Sequence, residues 1–151
     1  MKRDNKYLEN LLYEIWEEYF PDVPRKNFVI IKFGKYSKRQ LGSIKKANEK
    51  TKIKRLMQKY KDLLEIQDEK SISVITITRY FQSEDIPEYI LISTIAHELC
   101  HYTHGFNSPL PKLFEYPHQG GIVSKEMDKR GLREMRLKTR RWLKEKWSEI
   151  I

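Results

Sequence analysis

The sequence predicts one small α+β domain. Three observations carry that expectation: an N-terminal segment with helical periodicity, two runs rich in β-branched and aromatic residues, and a helix too apolar for any surface position. At 151 residues the chain has the size of one domain with a single core. It reads as one unit over 1–151, with a helical extension over about 124–151. Its 39% hydrophobic and 34% charged residues belong to a folded chain rather than a disordered one.

Leu8, Leu11, Leu12, Ile15, Trp16 and Tyr19 recur at helical spacing, with Glu9, Glu14, Glu17 and Glu18 on the other faces. Residues 5–20 are therefore expected to form an amphipathic helix, ended by Pro21 and Pro24. Residues 27–33 (NFVIIKF) read as a strand, and a weaker strand is expected over 40–46. Ile53, Leu56, Met57, Tyr60, Leu63 and Leu64 again follow helical spacing. Residues 71–80 (SISVITITRY) make the clearest strand. Pro87 suits a first helical turn and Gly105 a C-terminal stop, so 87–104 should be one helix. Ile90, Leu91, Ile92, Ile95, Ala96 and Leu99 make it apolar almost all round, which places it in the middle of the domain. Pro109, Pro111 and Pro117 make 106–118 a loop. After Ser124, the stripe Met127, Leu132, Met135, Thr139, Leu143 and Trp147 predicts a final amphipathic helix or pair of helices.

The formal charge is +9, which favours polyanionic partners. Twelve Lys or Arg face one acid, Glu49, between Lys32 and Lys61, and ten face five acids between Lys125 and Ile151. Segments 32–61 and 125–151 are thus candidate nucleic-acid contacts, the alternative being ordinary solvated helix surface. Cys100 is the single cysteine, so neither an internal disulfide nor a multi-cysteine metal cluster can form, and the thiol reads as buried filler. The charged residues Lys2, Arg3, Asp4, Glu9 and Glu14 rule out an apolar signal-peptide core, and no apolar run is long enough to span a bilayer. A cytoplasmic, intracellular protein is expected.

The chemistry lies in the apolar helix. His97-Glu98-Leu99-Cys100-His101 is an HExxH motif, and residues four apart share a helical face, so both imidazoles can address one ion. Glu98 lies about 100° round the helix, poorly placed to share that coordination but well placed to contact a water on the metal. The pattern suits amide hydrolysis: zinc activates water and polarises the carbonyl, and Glu98 serves as general base. Burying two histidines and a glutamate in an apolar helix is costly unless something compensates, and a metal ion does.

A catalytic zinc needs a third protein ligand. His104 lies about two turns from His97, too far along an unbroken helix to join the site, and is expected to line the cleft mouth or bond the last helix carbonyls. His118, beyond a loop long enough to fold back and just before Gly120-Gly121, is the preferred third ligand. A glutamate from a second helix, Glu126 or less readily Glu115, is the alternative. The metzincin pattern needs Gly at 104 and His at 107, where this chain has His104 and Asn107. Tyr102 and Tyr116 could each hydrogen-bond an oxyanion, and the spacing selects neither.

In order along the chain, the strand at 27–33, the Leu41-Gly42 pair, the strand at 72–78, HELCHYTHG at 97–105, Pro117-His118 and apolar Ile122 and Met127 resemble the SprT-like (Spartan-related) zinc metallopeptidases. In that family a histidine downstream of the motif is the third ligand, usually followed by Gly and with an aromatic residue four positions on. His118 lies 17 residues beyond His101 and matches in place, with Gln119 standing for the Gly and Ile122 for the aromatic. No cysteine follows Cys100, so the C-terminal zinc ribbon of many members is not expected here. The resemblance implies a zincin-like domain with a short mixed sheet packed on the HExxH helix; in place of the family's ribbon, the residues over 125–151 predict a basic C-terminal helix. It also implies Zn2+ as cofactor, peptide-bond hydrolysis, and substrates among nucleic-acid-associated proteins. Two other functions fit the residues: a nucleic-acid-binding module with a structural zinc, and a zinc hydrolase of a non-peptide amide.

Overall fold

The computed structural model describes residues 2–47 and 72–151; the amphipathic helix expected around 53–64 lies outside them. The first helix, α1 (Asn5–Tyr19), starts where the Asp4 side chain accepts a hydrogen bond from the Tyr7 N–H at 2.8 Å, satisfying one of the free donors of the first turn. Its apolar stripe, Leu8, Leu11, Leu12, Ile15 and Trp16, is buried.

The described sheet has three strands, β1 (Phe28–Phe33), β2 (Gly42–Lys46) and β3 (Ile72–Ile77), in the order β1-β3-β2. β1 runs parallel to β3, with Phe28 opposite Ile72 and Phe33 opposite Ile77, and β2 runs antiparallel. The sheet is therefore mixed. β3 is central and buried on both faces, which explains why Ile or Val occupies positions that face either side. β2 turns only Ile44 inward and keeps Lys45 and Lys46 exposed, so its sequence carries a weaker strand signal.

The strand expected as far as Tyr80 ends at Ile77. The Thr78 hydroxyl pairs with Ser37, accepting from its N–H at 3.0 Å and donating to its carbonyl at 2.7 Å. A 3-10 turn over Arg79–Gln82 then carries Phe81 into full burial. β-propensity read the side chains correctly, but it does not register a hydroxyl that competes for the backbone.

The helix α2 (Glu88–Thr103) follows Pro87 and runs through the centre of the molecule, with Ile90, Leu91, Ile95 and Ala96 inaccessible to solvent. Each such Ile or Leu contributes roughly 1.5–3 kcal/mol relative to exposure. Two bonds close its end, Phe106 N–H to the His101 carbonyl at 2.9 Å and Gly105 N–H to the Tyr102 carbonyl at 3.1 Å. This pattern requires a left-handed residue after the cap, and Gly105 has φ +84°. A Cβ there would also lie 2.3 Å from the Pro111 carbonyl oxygen. Glycine is required twice over.

The C-terminal part is a pair of helices, α3 (Ile122–Lys129) and α4 (Arg133–Ile150), joined through Gly131. The stripe of α4 packs on the domain: the Trp147 ring lies 5.7 Å from that of Tyr80 and 5.6 Å from that of Phe81, and its Nε1–H donates to the Lys38 carbonyl. Among the described residues no helix is long and apolar enough to cross a membrane.

Candidate metal centre

Helix α2 presents His97 and His101 one turn apart, with their Nε2 atoms separated by 3.2 Å. The proline-rich loop folds back over this face and brings His118 beside them, with ring centroids 5.5 Å from His97 and 4.7 Å from His101. One ligand atom from each of the three histidines lies within 4.8 Å of the other two, close enough to hold one metal ion. Among the described residues this is the one grouping of three or more His, Cys, Asp or Glu side chains with that proximity.

Burial, reinforced by His118, lowers the His97 pKa to about 4. Burial, reinforced by the neighbouring histidines, lowers that of His101 to about 3. Both rings are thus neutral at physiological pH, which is the ligating form. His101 Nδ1 is buried without a hydrogen-bond partner. This is a polar arrangement that the protein's own groups leave incomplete.

Glu98 lines the same cleft, only 4% exposed, and makes no hydrogen bond or ion pair with any described residue. Burial pushes its carboxyl up to about 8. Room for it comes from β2: a Cβ on Gly42 would stand 3.4 Å from Glu98 Cγ and 2.9 Å from Thr94 Cγ2. Gly42 is thus part of the site, and a glycine inside a strand is the sequence signal for such a close approach.

The raised carboxyl has a measurable consequence for the metal-free protein. Unfolded, Glu98 ionises near its ordinary pKa; folded, it holds its proton until about pH 8. As pH rises between these values the unfolded chain binds fewer protons, so the fold loses stability across that window and the loss levels off above it. Glu98→Gln removes the ionisation. Metal-free Glu98→Gln is expected to be more stable to unfolding than metal-free wild type at about pH 9, by on the order of a few kcal/mol, with the gap closing near about pH 5. Melting curves that stay parallel across this range would refute it.

His104 is not at the cleft mouth, nor does its side chain bond the final helix carbonyls. It is 1% exposed, and its Nε2 meets Glu126 at 2.9 Å. Glu126 also pairs with Arg130 at 2.9 Å, and Arg130 reaches Asp22 at 2.7 Å. Burial works to raise the Glu126 pKa, but the His104 hydrogen bond and the Arg130 charge outweigh it and hold the carboxyl below the usual range. The carboxylate weighed as an alternative ligand is therefore engaged in tying α3 to the end of α2. Glu115 is exposed and outside the histidine group. Cys100 is buried and likewise outside it, with burial pushing its thiol pKa up.

Neither tyrosine faces the site. The Tyr102 hydroxyl donates to Asn27 Oδ1 at 2.6 Å and its ring packs edge-on against Trp16, while Tyr116 is exposed and does not line the cleft. Two residues not singled out from the sequence shape the cleft instead. Phe106, placed by the α2 end, lies against His101. Asn107, at φ +55°, donates from Nδ2 to the Ile44 carbonyl and so straps the loop to β2. The cleft encloses about 800 Å³ between β2 and α4, with α2 as its floor. No model of a known protein family, no curated protein and no solved structure matches this chain.

Proposed function

We propose that the protein is a zinc-dependent metallopeptidase with a zincin-like fold of the SprT-like kind. The observation that carries this reading is the convergence of His97, His101 and the sequence-distant His118 beside a buried, unpaired Glu98 in one open cleft. The donor set fits zinc: two nitrogens on a tetrahedral ion at about 2.0–2.1 Å stand about 3.3 Å apart, and His97 and His101 Nε2 stand 3.2 Å apart. His97, His101 and His118 would hold the ion. Bound there, zinc lowers the pKa of a water and polarises a substrate carbonyl.

Glu98 does the proton work. As a carboxylate it accepts a proton during attack, and as a carboxylic acid it returns the proton to the leaving amine; a proton affinity raised by burial suits both halves. The floor of α2 holds these groups on a rigid, fully packed element, while β2 and α4 wall off a space the size of a short peptide segment.

Three grouped histidines and adjoining open space favour a catalytic ion over a structural one, which takes four protein ligands. The resemblance adds nucleic-acid-associated proteins as the substrate class. The test is metal dependence: zinc-loaded protein should cleave an unfolded polypeptide, lose the activity to a chelator, and regain it on stoichiometric zinc. Cleavage that survives complete metal removal would refute the reading.

A further inference from the structure

Two basic segments almost a hundred residues apart in sequence meet across the cleft. The β2 side carries Arg39 and Lys45, and α4 carries Arg136 and Arg140, with the histidines and Glu98 between them on α2. Arg136 is held in a two-point pairing with Asp128, at 2.8 and 2.9 Å. Arg39, Lys45 and Arg140 are exposed and have no acidic partner among the described residues. Among the described residues Glu98 is the one carboxylate lining the cleft. Arg39 and Lys45 on one wall and Arg140 on the other thus carry charge that no described carboxylate neutralises, and charges of one sign lining a cleft concentrate their potential in the space between.

We propose that this cleft selects polypeptide segments bearing Asp or Glu on both sides of the bond to be cut, with Arg39 and Lys45 receiving carboxylates on one bank and Arg140 on the other. The inference rests on the peptidase reading and adds a substrate class to it. Within nucleic-acid-associated proteins it directs the enzyme to acidic stretches and away from basic tails, which the walls repel.

Nucleic acid is the other polyanion that a positive cleft would suit. A single strand, however, is held by bases stacked on aromatic side chains, and among the described residues Phe106 is the one Phe, Tyr or Trp lining this cleft. Trp147 is committed to Tyr80 and Phe81, and Trp142 packs on the core. Exposed Tyr36 stands against Tyr80, outside the lining residues. A space of about 800 Å³ takes an extended peptide of a few residues.

Binding is read apart from turnover. Zinc-loaded full-length Glu98→Gln is titrated by fluorescence anisotropy with two labelled peptides that differ only in Glu versus Gln flanking the central bond. The acidic peptide is expected to bind about tenfold tighter at low salt, since each partly exposed ion pair adds a modest increment. The advantage should shrink as salt rises and shortens the Debye length. Adding Arg39→Glu and Arg140→Glu should reverse the preference toward a Lys-flanked peptide, while Arg39→Gln with Arg140→Gln should only abolish it, with zinc content unchanged in both. The reversal is a readout that mere loss of structure cannot produce. Equal binding of the two peptides overturns the proposal, as does a single-stranded oligonucleotide that binds more tightly and displaces the acidic peptide. Acid-selective binding without any cleavage by zinc-loaded wild type upholds the charge selection and sinks the peptidase reading; cleavage without acid preference does the opposite.

Discussion

Replacing Glu98 by Gln is expected to leave zinc bound while turnover of an unfolded protein substrate falls by at least about a hundredfold. The substitution preserves volume, so the space left by Gly42 and bordered by Thr94 stays filled. It preserves a hydrogen-bonding side chain beside His97 and His101, but an amide cannot take up a proton and return it. The metal content should not change, because the three histidines that would hold the ion are untouched. Metal analysis and a cleavage assay on the same preparation separate the outcomes. Equal cleavage by both forms removes Glu98 from the proton transfer. Bound zinc with no cleavage by either form favours instead the module in which zinc is structural. The loss also cannot be ascribed to a damaged fold, since the same variant is expected to be the more stable of the two when metal-free at high pH.

The parts of the fold that were legible in the sequence are those fixed by local rules. Helix α1 shows its stripe because one face is buried and the other wet, and α2 is bounded by Pro87 and Gly105, each of which has a backbone reason to be there. The weak strand at β2 was also readable, though only Ile44 marks its inner face. What local rules miss is competition and distance. Thr78 ends β3 by bonding Ser37, a residue 41 positions earlier. Helical spacing kept His104 out of the metal group, but nothing near it in sequence indicates that its partner is Glu126, 22 residues on and itself held by Arg130. The charge of the cleft is the extreme case: 32–61 and 125–151 each look like a solvated basic face, and only the packing of α4 across from β2 turns part of them into opposing walls.

His118→Ala is expected to lower zinc affinity by at least about a hundredfold, more than the loss of a supporting residue around a metal ligand would cost. His97 and His101 are positioned by a buried helix and their Nε2 atoms already stand 3.2 Å apart, so the pair survives the substitution, but two imidazoles alone do not make the three-ligand set of a catalytic zinc. His118 is exposed, on a loop, and its removal leaves no buried cavity; the thermal stability of the metal-free protein should therefore barely move. Glu126→Ala should give the converse pattern. It strips the partner from buried His104, whose Nδ1 is already unsatisfied, and takes one of two carboxylates from Arg130, which keeps Asp22. Leaving a buried ring without its partner costs on the order of 1–3 kcal/mol, so this variant should melt lower while still binding zinc at the histidines. The two variants thus separate ligation from support by opposite pairs of readouts, metal content and melting temperature. Full zinc in His118→Ala together with lost zinc in a still-folded Glu126→Ala would transfer the third ligand to the glutamate. That exchange would require the His104–Glu126–Arg130 network to open, because in this fold the carboxylate is already shared between two cations or donors and has no free approach to the histidine pair without giving them up.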